Sequence, residues 1–186
     1  MEEKQKIETQ NKMREIKIEK VVLNIGGTGD YLNKGHKLLE IITNKKPSKT
    51  TSRKRIPGFG VRPGLEVGTV VTIRKGAEEI LKKMLSAIEN TIKKRQVSEN
   101  NFSFGIHEYI EIPGMEYHRD IGIMGLDVTV VFKRSGRRVR LKKIKGGKIP
   151  KRQVITKEEI IKFMKNKFQT RFKKWLQVTG KKYSNN

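Results

Sequence analysis

The acid–base side chains come first. His107 and His118 stand near Glu108, Glu111, Glu116 and Asp120, with His36 further off. Imidazole beside carboxylate can move protons or hold a divalent metal. However, no HExxH word occurs and no two histidines stand at i, i+4 spacing. There is no GxSxG elbow, and with no cysteine there is no thiol nucleophile, disulfide or thiolate metal site. GGTGD at 26–30 follows an apolar run and could turn amides toward a phosphate. It lacks the Lys-Ser/Thr of a P-loop and the spacing of a dinucleotide fingerprint, and reads as a tight strand-to-helix turn. Nothing here is a positive reason to expect an enzyme, a metal or a cofactor. The cations differ in kind: GRRVRLKKIKGGKIPKR, 136–152, holds nine Lys or Arg in seventeen residues and no acid. Planar guanidinium forks and ammonium point charges at that density are the chemistry of phosphate binding.

The charge is also unevenly placed. Of the net +24, residues 128–186 hold 20 basic side chains against only Glu158 and Glu159, whereas residues 1–127 hold 23 basic and 17 acidic ones. Such a concentration repels itself unless a polyanion neutralises it, and nucleic acid does so with release of counterions. A membrane surface is the main competitor, but the segment lacks the Trp, Phe and Leu stripe of an interfacial helix. VGTVVTI at 67–73, the longest apolar stretch, is too short to span a bilayer as a helix. MEEKQKIETQNK has no apolar h-region, so the expectation is a soluble intracellular protein without a membrane partner.

These side chains need a scaffold, and 186 residues suffice for one domain. The reading is a disordered polar extension at 1–13, a single domain at 14–170 with a basic loop at 133–152, and a basic C-terminal extension at 171–186. β-Branched residues predict a strand over 16–25, stopped by Gly26-Gly27. A helical stripe follows at 30–44, with Asp30 placed to cap it. Residues 45–64 suit a strand rising into a long loop, and 67–74 is a second strand. The period over 76–95 predicts the strongest helix, with 77, 80, 81, 84, 85, 88 and 92 on one face. Strands at 101–112 and 126–132 flank a turn-rich stretch at 113–125. Thr156 and Glu159 form a capping box, and the helix behind it buries Ile160, Met164 and Phe168 and can run on to Trp175. The fold class is α+β, a mostly antiparallel sheet with helices packed on one face.

Alternation then separates the two sheet faces. One face collects Val21, Leu23, Ile25, Val71, Ile73, Phe102, Phe104, Val128, Val130 and Phe132. The other collects Asn24, Gly68, Thr72, Arg74, Ser103, Gly105, Tyr109, Asp127 and Thr129, hydrogen-bonding groups with room for close approach. An ordinary solvated face and an RNA-facing one both fit; flanking basic segments favour the second. It is no RRM, since only Tyr109 could stack a base from that face.

VVLNIG at 21–26, KPSKTTSRKRIPGFGVRPG at 46–64, VGTVVTIR at 67–74, NFSFGI at 101–106, EIPGMEY at 111–117, DIGIMGLDVTVVF at 120–132 and KIPKRQVITKEE at 148–159 occur in order. Together, over roughly residues 13–168, they resemble the universal L-five family of large-subunit ribosomal proteins in its archaeal-type form, L-eleven in eukaryotic naming. The resemblance implies a cytoplasmic, ribosome-bound, non-catalytic protein of the central protuberance, beside neighbouring proteins there. Its sheet and first loop would bind 5S rRNA, a Gly/Pro-rich loop would face P-site tRNA, and another loop would bridge to the small-subunit head protein S-thirteen. By position, Asn24, Gly26, Lys49, Thr50, Arg53, Lys54, Thr72, Arg74 and Asp127 match the 5S-contacting motifs. Arg55, Phe59, Gly60 and Arg62 fall in the tRNA-facing loop, and Met115, Tyr117, Arg119 and Asp120 in the bridge region. Asn44-Lys45 replaces the family's usual Gly-Gln, and the glycine after the strand arginine is shifted to Gly76. The 136–152 segment matches a variable region. Charge alone assigns Arg137, Arg138, Arg140, Lys142, Lys143, Lys145, Lys148, Lys151 and Arg152 to rRNA phosphates, of 5S or of 23S-type RNA.

Overall fold

A computed structural model describes residues 13–173. The elements are β1 (Lys17–Gly26), α1 (Gly29–Thr43), β2 (Ser48–Thr51), β3 (Glu66–Ile73), α2 (Ala77–Ala87), β4 (Thr91–Lys93), β5 (Val97–Ser98), β6 (Asn101–Ile106), β7 (Leu126–Lys133), α3 (Arg138–Leu141), α4 (Lys157–Phe168) and β8 (Arg171–Lys173). Six strands form one sheet in the order β2-β3-β1-β7-β6-β5, with every pairing antiparallel. The α+β class expected from the alternation is the class observed. β4 and β8 form a separate parallel pair.

The period-two pattern decides which face is dry. Val21, Leu23 and Ile25 of β1, Val71 and Ile73 of β3, Phe102, Phe104 and Ile106 of β6, and Val128, Val130 and Phe132 of β7 are all buried on one face. Against them pack Leu38 and Leu39 of α1, Leu81, Met84 and Leu85 of α2, and Ile160, Met164 and Phe168 of α4. Burying each such side chain contributes about 1.5–3 kcal/mol. Gly35, unfavourable in a helix interior, has a packing reason: a Cβ there would lie 2.9 Å from Ile25 Cγ2, so glycine lets α1 settle onto β1.

Four local readings are corrected. The helix from 77 stops at Ala87, because Glu89 and Asn90 turn left-handed (φ 52° and 53°) and the Asn90 N–H returns to Leu85 O at 2.9 Å. Ile92 still reaches the core, but from β4. β6 ends at Ile106, and a 3-10 turn at Tyr109–Glu111 sends Tyr109 inward, fully buried, while Ile110 becomes exposed. The Tyr109 hydroxyl accepts the His118 N–H at 2.8 Å, so no aromatic from this position stands on the polar face. Thr28, not Asp30, is the N-cap of α1, and Asp30 lies in its first turn. Lastly, α4 ends at Phe168, with Gln169 left-handed and its N–H on Lys165 O (3.1 Å). The chain then continues as β8, where a basic extension was expected from residue 171. All but Met13 of the disordered extension expected at 1–13, and the remainder of the C-terminal one, 174–186, lie outside the described residues.

Candidate nucleic-acid interface

Antiparallel register lines up the polar face in rows. Ser48 and Asn24 flank Val70, Asn24 stands opposite Asp127, and Asp127 stands opposite Gly105. The next row runs Thr72, Val22, Thr129, Ser103, and on the other side Thr50 meets Gly68, which meets Gly26. Hydroxyls, an amide and a carboxylate thus share five strands with three glycines and two valines, and Gly26, Ser48, Thr50, Ser103, Gly105 and Asp127 are exposed. At Gly68 a side chain would crowd the rows, since a Cβ there would lie 2.8 Å from Thr50 Oγ1, whereas a Cβ on Gly105 would only touch Asp127 Oδ1 at 3.4 Å. Such a surface can donate and accept toward base edges, 2′-hydroxyls and phosphates at short range.

Of the residues assigned to that face, Asn24, Gly26, Thr50, Thr72 and Asp127 lie on it, and Arg74 is exposed just past the end of β3. Lys49 does not. It is in register with buried Thr69, so its side chain turns to the helix side, where Nζ donates to Asn33 Oδ1 (3.2 Å) and pairs with Glu66 (2.7 Å). Arg53 and Lys54 open the loop, and both are exposed.

The 52–65 loop is itself ordered. Ser52 and Leu65 pair through backbone, Ile56 exchanges two hydrogen bonds with Val61 at 2.9 and 3.1 Å, and a 3-10 turn at Pro57–Phe59 closes the tip. Gly60 takes φ 63°, a left-handed position that suits glycine. The result is a ribbon carrying exposed Arg55 and Arg62, with Phe59 82% exposed at its end. An exposed aromatic ring between two glycines, amid cations, has a free face on which a base or ribose can stack.

The 133–152 segment contains one helical turn, α3, and is pinned at its base. Arg134, which nothing in the sequence singles out, is buried; it donates to Arg152 O (2.9 Å) and pairs with Glu159 (2.6 Å). Asn100 fastens both ends: its carbonyl accepts the Phe132 N–H (2.8 Å) and its side chain accepts the Ile155 N–H (2.9 Å). Arg137 is not a free phosphate-binding group, because it pairs with Glu19. Glu19 is the extra residue where the β1–β7 register shifts between Ile18 and Lys20, and such a bulge re-aims a side chain. The other eight cations assigned there are exposed. Partners 18 and 25 residues away, or across a bulge, leave no local sequence signal.

Burial pushes the Glu159 pKa up, but the Thr156 amide, the Arg134 guanidinium and the Thr156 hydroxyl overrule it, leaving the carboxyl below its usual value. The 113–125 stretch is anchored by buried Ile112, Ile121 and Met124. It exposes Tyr117, Arg119 and Asp120, whereas Met115 is half-buried and packs against the core. Among the described residues, no group of His, Asp or Glu gathers to hold a metal, and no helix is long and apolar enough to cross a membrane.

Fold and surface together define a polyanion-binding protein built on a sheet. Comparison with known proteins makes this specific. Residues 11–62 match the family described as "Ribosomal protein L5", and residues 66–167 match the C-terminal part of the same ribosomal family. The chain is 44% identical over 155 residues to "Large ribosomal subunit protein uL5" of Nanoarchaeum equitans, covering 81% of this chain and 92% of that one. Identity to the protein of the same name is 43% over 166 residues in Sulfurisphaera tokodaii (87% and 94% covered). In Picrophilus torridus it is 41% over 168 residues (88% and 96%). The chain belongs to the ribosomal protein L5 family. It is a structural, ribosome-bound constituent of the large subunit, and not an enzyme.

Proposed function

We propose that the polar sheet face and the start of the 52–65 loop bind 5S rRNA and help to fasten it in the central protuberance. The carrying observation is the register that places Asn24, Asp127, Thr50 and Thr72, with Gly68 and Gly105, on the sheet face opposite the core. Arg53, Lys54 and Arg74 flank that face and supply phosphate neutralisation, while the polar rows supply shape-specific contacts. The ribbon tip, with Arg55, Arg62 and exposed Phe59, is the surface for P-site tRNA. Tyr117, Arg119 and Asp120 on the anchored 113–125 stretch form the contact to S-thirteen, with Met115 bracing it from behind.

The test separates face from ribbon. In equilibrium binding to 5S rRNA transcript, Asn24→Ala and Arg74→Ala each weaken affinity about tenfold, the scale of one lost hydrogen bond to a charged group. Arg62→Ala leaves it near that of the unaltered protein. Equal losses from all three would reject this division.

A further inference from the structure

The basic segment encloses a space that diffuse charge would not need. Between the end of β7 and the return to α4 lies a cavity of about 400 Å³, near the lower end of ligand-site volumes. Lys133, Arg134, Arg137, Arg140 and Lys148 line it, and among the described residues no carboxylate does. Two of the five are held from behind: Glu159 pairs with Arg134 and Glu19 with Arg137. Among the described residues no carboxylate pairs with Lys133, Arg140 or Lys148. Three such cations therefore line one space, of whose walls Asn100 and Arg134 are held by bonds to Ile155 N–H and Arg152 O. Cations lining one half-open volume repel one another until an anion enters, and a space already shaped costs little to order on binding. Arg134 Nε, buried, also has no acceptor among the described residues.

We propose that this cavity seats one nucleotide of a sharply turned RNA strand, its phosphate between Arg140 and Lys148, so that part of the segment is a defined site. This rests on the protein being RNA-binding and adds a place and a stoichiometry to it. Lys142 and Lys143 belong to the same segment, and neither lines the cavity.

The test compares two charge-matched pairs in the full-length protein: Arg140→Gln with Lys148→Gln, and Lys142→Gln with Lys143→Gln. All four positions are exposed, so the fold should persist, and cooperative melting checks it. Binding is measured to transcripts of 5S rRNA and of the long large-subunit rRNA, across salt. On the transcript that fills the cavity, the lining pair should lose at least tenfold more affinity than the other pair. Its salt slope should fall by about one unit for each phosphate no longer neutralised. Equal losses from both pairs, or no loss from the lining pair on either transcript, overturn the site. The sheet reading is judged separately, by whether Asn24→Ala still weakens 5S binding in the same assay. A thermal-shift arm uses inorganic tripolyphosphate, which should raise the midpoint of the unaltered protein more than that of the lining pair. Lining-pair loss of tripolyphosphate binding with unchanged RNA affinity would make the cavity a site for free polyphosphate, and the RNA proposal would fail.

Discussion

Gly105 is the penultimate residue of β6, on the outer face, where glycine weakens a strand. Its φ is not left-handed, and an added Cβ meets nothing nearer than Asp127 Oδ1 at 3.4 Å, a spacing the exposed carboxylate can relax. Gly105→Ala should therefore keep the fold and stabilise it by about 0.4–1 kcal/mol, through lower entropy of the unfolded chain. If RNA lies against the Asn24–Asp127–Gly105 row, the same methyl intrudes between the two surfaces. Overpacking a tight interface costs about 1–3 kcal/mol, which corresponds to roughly five- to 150-fold weaker binding. Urea unfolding and equilibrium binding to 5S rRNA measure the two effects on one sample, and Gly105→Val should bind more weakly still. A more stable Gly105→Ala protein that binds with undiminished affinity would refute close approach at this row. A destabilised one would refute the packing argument.

Other outcomes follow from the same geometry. Phe132, fully buried and stacked 5.7 Å from Phe102, should cost about 3–5 kcal/mol as Phe132→Ala in urea unfolding. Thr156 accepts the Glu159 N–H, so Thr156→Ala should cost about 1 kcal/mol by the same measurement. The folded-state pKa of Glu159 is depressed, so its contribution is complete above the unfolded carboxylate pKa and is lost as pH falls through the lower folded value. Glu159→Gln should accordingly destabilise at pH 7, and the gap should close as the solution is acidified below about pH 4.

The part of the fold legible from the chain alone was the part dictated by period. In β1, β3 and β7, alternation separates buried Leu23 or Val128 from outward Asn24 or Asp127, because a strand has only two sides. The same logic misplaces Tyr109, since Ile110 and Ile112 keep the period of two past Glu108 after the strand has become a 3-10 turn. It also overran α2, because Ile88 and Ile92 keep helical spacing although Ile92 reaches the core from a strand. Asn90, tolerant of the left-handed region, was the only local hint. At the interface, residue types showed which cations exist but not which are free. Lys49 changes sides by one step of register, and Arg137 is taken by a carboxylate 118 residues away in sequence. Arg134 looks like one arginine among many, although it is the one that holds the basic segment in shape.

The most direct measurement is a density map of the native large subunit containing this chain. 5S rRNA should lie within hydrogen-bonding distance of Asn24, Thr72 and Asp127, with α1, α2 and α4 turned away from it. Ordered RNA against those helices, with the Asn24–Asp127 row facing solvent, would contradict the assignment of the sheet face.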